Sequence, residues 1–143
     1  MAGLDKLFSG LRASSSGLAA ERVRMDVIAE NVANARTTSS PDGGPYTRRV
    51  VRFEPLLSEA AGRPAEVVGV RASSVEPDRA TPYGVVHEPS HPDADANGYV
   101  RYPNVNTVLE MTDLITAMRA YEANLTVQQN FIQMAERALQ LAR

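Results

Sequence analysis

"MTDLITAMRAYEANLTVQQNFIQMAERAL", residues 111–139, carries a hydrophobic residue at every seventh position: Met111, Met118, Leu125, Ile132 and Leu139. Leu114, Tyr121 and Ala135 follow three residues along, and only Gln128 interrupts this second line. A seven-residue repeat keeps one stripe of an α-helix turned towards a partner helix. The opposite end of the chain has the same repeat in Leu4, Leu11, Leu18, Met25 and Val32. The roughly seventy residues in between lack it. Each end therefore reads as a helix of about 30 residues, about 45 Å long at 1.5 Å per residue. A compact globule of this chain length is only about 37 Å across. The helices overhang any core the chain can build, and further copies or close relatives are expected to cover them.

The first helix is expected from about Leu4 to Asn34, with Leu7, Phe8 and Ile28 widening its apolar stripe. Its middle is thin, because Ser14, Ser15 and Ser16 sit beside Gly17, Ala19 and Ala20. A helical glycine costs about 1 kcal/mol relative to alanine. Such small residues also allow close approach of neighbouring backbones, and a serine-rich exposed patch is the plainer reading. Asn34 is a candidate left-handed C-cap. The last helix is expected from Asn106 to about Leu141, with Asn106 or Thr107 as N-cap and Glu110 at the capping-box position after Thr107.

Between the helices, prolines and the turn formers Pro41-Asp42-Gly43-Gly44-Pro45 and Asn97-Gly98 forbid a long helix. Short strands fit Arg48 to Glu54, Glu66 to Val75, Gly84 to His87 and Gly98 to Tyr102. The fold class is mainly α with a small, loop-rich β insert.

Composition excludes several functions. Lys+Arg 15 against Asp+Glu 17 gives a formal charge of −2, which leaves no electrostatic footprint for nucleic acid. The densest basic cluster, Arg48, Arg49 and Arg52, alternates with Val50, Val51 and Phe53 and reads as a solvated strand. Cysteine is absent, so disulfides and thiolate chemistry are absent with it. Asp5, Lys6, Arg12, Glu21 and Arg22 interrupt any secretory signal, leaving a cytosolic chain or one exported without a cleaved leader.

Two metal motifs match in letters only. His87-Glu88-Pro89-Ser90-His91 has the H-E-x-x-H pattern, but that chemistry needs a helix and Pro89 lies inside it. Asp93-Ala94-Asp95-Ala96-Asn97-Gly98 copies the first half of a calcium loop, yet Asn104 stands where the bidentate glutamate belongs. Asn97-Gly98 is better explained as a tight turn into a strand at Tyr99. No catalytic centre, cofactor or small-molecule substrate site is expected.

Ile28-Ala29-Glu30-Asn31-Val32-Ala33-Asn34-Ala35 and Arg119-Ala120-Tyr121-Glu122-Ala123-Asn124 together resemble the terminal signatures of the bacterial flagellar axial proteins. Gly44 and Tyr46, Asn97-Gly98-Tyr99, and Asn104 with Asn106 extend the resemblance over almost the whole chain, towards the proximal-rod members of that family. The resemblance implies a structural, non-enzymatic subunit of the basal-body rod. Such a subunit is exported by the flagellar type III apparatus and assembles with its own copies and with other rod subunits into the drive shaft and export channel. It also implies that residues 1–35 and 106–143 pair as an antiparallel coiled coil inside, with 36–105 as the outer insert. From the residues alone, a small homo-oligomeric coiled-coil module presenting a β insert remains the alternative.

Overall fold

The computed structural model describes residues 2–41, 43–58 and 66–141. Two long helices, α1 (Ala2–Ala33) and α2 (Thr107–Leu141), enclose four strands, β1 (Arg49–Ser58), β2 (Glu66–Pro77), β3 (Gly84–His87) and β4 (Tyr99–Tyr102). The strands form two separate antiparallel pairs, β1 with β2 and β3 with β4. Neither described helix is long and apolar enough to cross a membrane.

Both helix ends are set by asparagine side chains. Asn106 Oδ1 accepts from the amides of Val108 and Leu109 at 3.1 and 3.2 Å, so Asn106 is the N-cap of α2. Glu110 is drawn away from the expected capping box, to partners described below. Asn34 closes α1 without the expected left-handed backbone, since no non-glycine residue among those described has a positive φ. Its side-chain amide instead donates to the Glu30 carbonyl at 3.0 Å.

The β1–β2 ribbon is longer than its sequence pattern suggests, because it runs through Pro55 to Ser58. A two-stranded ribbon has free edges, where a residue without an N–H is tolerated. Arg52 pairs with Glu76 at 2.7 Å and Arg71 with Glu54 at 3.2 Å across the two strands. The ribbon lies along α1, where Ser16 Oγ accepts from the Val70 amide at 3.1 Å. A side chain at Gly69 would run into Ser16. The serine run is thus no uniform exposed patch: Ser14 is buried, Ser16 half-buried, and only Ser15 exposed.

α1 and α2 run in opposite directions, touching at Gly10 with Phe131, Gly17 with Asn124, and Asn31 with Glu110. Each step of seven along α1 is matched by a step of seven back along α2. Close approach needs the glycines: a Cβ at Gly10 would stand 2.5 Å from Phe131 Cζ, and one at Gly17 would stand 3.0 Å from Asn124 Nδ2. The facing stripe of α2 includes Glu110, Leu114, Ala117, Tyr121 and Asn124, all buried or half-buried.

A different stripe of α2 holds the larger apolar side chains, and it faces away from α1. Val108, Met111, Ile115 and Met118 recur at three- and four-residue steps, Leu125, Ile132 and Leu139 follow at steps of seven, and all are exposed, from 39% at Leu125 to 71% at Leu139. On α1 the corresponding residues Leu11, Leu18, Met25 and Val32 are half-buried beside the helix contact. The side chains of Leu4, Leu7 and Phe8, and residue Ala142, lie outside the described residues. The buried apolar residues among those described are few: Ala20, Val27, Ile28, Tyr46, Val100 and Ala117.

Candidate functional site

Where α1 ends and α2 begins, buried polar side chains lock four separated segments together. Asn31 and Glu110 are each only 1% exposed. Asn31 Nδ2 donates to Glu110 Oε2 at 3.0 Å and to the Arg49 carbonyl at 2.9 Å. Its Oδ1 accepts from the Tyr46 hydroxyl and the Arg49 amide, both at 2.9 Å. Two donations and two acceptances use the whole capacity of a carboxamide. No other side chain of this shape and size supplies that set.

Arg48 completes the charge balance. Its Nε donates to Glu110 Oε1 at 2.6 Å, and its guanidinium also reaches Asp78 at 3.4 Å and Asp113 at 3.9 Å. The Arg48 amide donates to Asn104 Oδ1 at 2.8 Å, while Asn104 Nδ2 donates to the carbonyls of Asp78 and Thr81. Burial works against the Arg48 charge, but hydrogen bonds and attraction from Glu110 and Asp78 outweigh it and hold its pKa above the ordinary value. Asp78 is held below the ordinary carboxylate range, first by the Thr81 hydroxyl and then by the Thr81 amide. We call this arrangement the clasp.

The loop after α1 delivers Tyr46 to the clasp. Thr37 bonds back to Asn34 through its hydroxyl and amide, and the Tyr46 amide donates to the Thr37 carbonyl at 2.9 Å. Gly43 and Gly44, at φ +87° and +76°, make the turn that returns the chain. Burial pushes the Tyr46 phenol above its ordinary 10.0, and the negative charges of Glu30 and Glu110 add to this against the opposing pull of Arg49. Folding thus holds this proton more tightly than the unfolded chain does. The stabilisation is complete below pH 10 and is lost as pH rises through the folded value. Denaturant midpoints followed from neutral into alkaline pH are expected to fall in the parent, and to fall less steeply in Tyr46→Phe.

Sequence-derived candidates fall in three places. Asn31, Asn34, Gly44, Tyr46, Asn104 and Asn106 gather at or beside the clasp. Asn97, Gly98 and Tyr99 form the β3–β4 turn, where Asp95 Oδ1 accepts from the Asn97 and Tyr99 amides and Gly98 takes φ +78°. Arg119, Tyr121, Glu122 and Asn124 lie midway along α2. Two clasp residues had been read otherwise: Arg48 as part of a solvated strand, Glu110 as a capping-box partner. Both readings stop at local sequence, whereas the two side chains meet across 62 positions.

His87 lies in strand β3 against the Tyr99 ring at 4.9 Å, and His91 stands near Tyr102. Among the described residues, no group of three or more His, Cys, Asp or Glu is placed to hold a metal ion. A cleft of about 1260 Å³ opens beside the clasp between Tyr46, Arg49, Arg79, Tyr83 and Arg101.

The two helix ends that meet at the clasp lie in the two segments that match known families. Residues 11–39 match the family described as "Flagella basal body rod protein", and residues 96–141 match "Flagellar basal body rod FlgEFG protein C-terminal". Over 134 residues the chain is 43% identical to the flagellar basal-body rod protein FlgC of Borreliella burgdorferi, covering 85% of this chain and 88% of that one. The chain belongs to the FlgC family. It is likewise similar to FlgC of Aquifex aeolicus, 43% identical over 83% of this chain and 84% of the relative. The FlgC of Bacillus subtilis is 36% identical over 95% and 98%. As a FlgC-family member the chain is a structural subunit of the flagellar basal body, located in its rod and assembling with other rod components. The relatives are named as rod proteins, and no catalytic function is indicated.

Proposed function

We propose that residues 1–35 and 106–143 form an antiparallel coiled coil in the inner layer of the proximal rod, around the export channel, with 36–105 turned outward. The observation that carries this reading is the second stripe of α2. A helix that already rests on α1 through Glu110, Leu114, Ala117, Tyr121 and Asn124 leaves a second line of large apolar side chains for another helix. Leu11, Leu18, Met25 and Val32 on α1, with Met111, Met118, Leu125, Ile132 and Leu139 on α2, are the proposed assembly contacts. The family-motif residues Arg119, Glu122 and Asn124 lie on the same length of α2.

The chain reaches the rod through the flagellar type III export apparatus, and its neighbours are other copies and other rod subunits. Folding is coupled to docking. Near the clasp the helices are joined by the buried Asn31–Glu110 contact, whereas farther out the contacts are Gly17 against Asn124 and Gly10 against the Phe131 ring. The distal halves gain full order only when neighbours bury the outer stripes. Hydrogen exchange on purified monomer is expected to protect amides around Asn31 and Glu110 and to leave those beyond Asn124 fast. Slow exchange along the whole of α2 in dilute monomer would remove the coupling.

A further inference from the structure

Three charged residues on the outward face of α1, Arg12, Arg22 and Asp26, are exposed and have no ionic partner among the described residues. The same is true of Arg119, Glu122 and Glu136 on the outward side of α2. Resting on the rod assignment above, we infer that the exposed apolar stripe of α2 docks antiparallel on the outward face of α1 in a second copy of this chain. Arg22 then opposes Glu122, and Asp26 opposes Arg119.

The charges fix direction and register. With Arg22 set against Glu122, four residues on along α1 and three back along α2 place Asp26 level with Arg119 to within about 1.5 Å. Arg12 and Glu136 then lie about 6 Å apart along the axis, within the span of an arginine side chain. A parallel arrangement through the same first pair sets Asp26 against Thr126 and Arg12 against Thr112, leaving one ion pair. Beside its charges the α1 face carries Ser15, Ala19, Ala29 and Ala33, with Val23 at its edge, and in this register Leu125 is level with Ala19, Ile115 with Ala29 and Met111 with Ala33. Both faces are open in one copy and belong to the same polypeptide, so the contact is head-to-tail and repeats without closing on a pair. The neighbour's α1 is displaced from the chain's own α1 by three to four residues, about 5 Å along the shared axis.

The absence of cysteine makes the test clean. Two differently tagged copies, one carrying Arg22→Cys and the other Glu122→Cys, are produced in the same cells, and basal bodies are isolated under oxidising conditions. A disulfide-linked dimer carrying both tags is expected, and little of it when Val127→Cys, on a different face of α2, replaces Glu122→Cys. A cross-link only to a chain of another mass, or none while both variants sit in basal bodies, overturns the proposal and leaves the rod assignment intact. Absence of the unaltered tagged chain from basal bodies overturns the rod assignment itself. Charge reversal gives a second reading that needs no cross-link. Arg22→Glu and Glu122→Arg are each expected to cut incorporation by at least about tenfold, and the double variant to restore it. A double variant no better than the singles overturns the proposal.

Discussion

Glu110→Ala is expected to lower the stability of the folded chain by about 3 kcal/mol, among the largest losses any single substitution here produces. The carboxylate is 1% exposed and holds Arg48 at 2.6 Å and Asn31 at 3.0 Å. Removing it leaves a guanidinium with only its longer contacts to Asp78 and Asp113, and a carboxamide short of one acceptor. Breaking a buried pair from one side costs about 3–5 kcal/mol. The lower end applies because Arg48 is partly open to water. Asn31→Asp tests the same centre from the other helix. It keeps the shape, removes both donors, and brings a second carboxylate against Glu110. Urea unfolding followed by circular dichroism measures both, since the chain has no tryptophan. A midpoint moved no further than an exposed substitution moves it, about 0.5 kcal/mol, would show that the clasp bears no weight.

The second large effect should spare the monomer and abolish swimming. Leu125 and Ile132 are 39% and 47% exposed. Leu125→Asp or Ile132→Asp therefore changes the isolated chain little, within about 0.5 kcal/mol. In the rod the same carboxylate would be buried without a partner among apolar side chains, at a cost of several kcal/mol per contact. Because each subunit repeats the contact, the penalty recurs along the shaft. Folded, exported protein that fails to enter basal bodies is the expected result. Normal swimming by both variants would remove this stripe from the interface.

Element boundaries were largely legible in the residues. The heptads mark both helices, and alternating Val, Arg and Tyr marks the strands. Which stripe pairs within one chain was not legible. Periodicity reports that Met111, Met118 and Leu125 recur on one face, but not whose helix covers that face. Within the chain, Gly10 and Gly17 let the helices approach closely, with the Phe131 ring over Gly10 and the Asn124 amide over Gly17. The clasp was half legible. Asn31, Tyr46 and Asn104 stood out through the family signature, while Arg48 and Glu110 looked like ordinary strand and capping residues. An ion pair across 62 positions leaves no local periodicity to detect.

The ribbon departs from Arg49 and returns at Pro77, and the β3–β4 hairpin lies between Asp78 and Asn104. Both excursions thus spring from the clasp and come home to it. Their length is decoupled from the register of α1 against α2. Either excursion can be enlarged, trimmed or exchanged during evolution, or grafted by design, while α1 and α2 keep their mutual alignment.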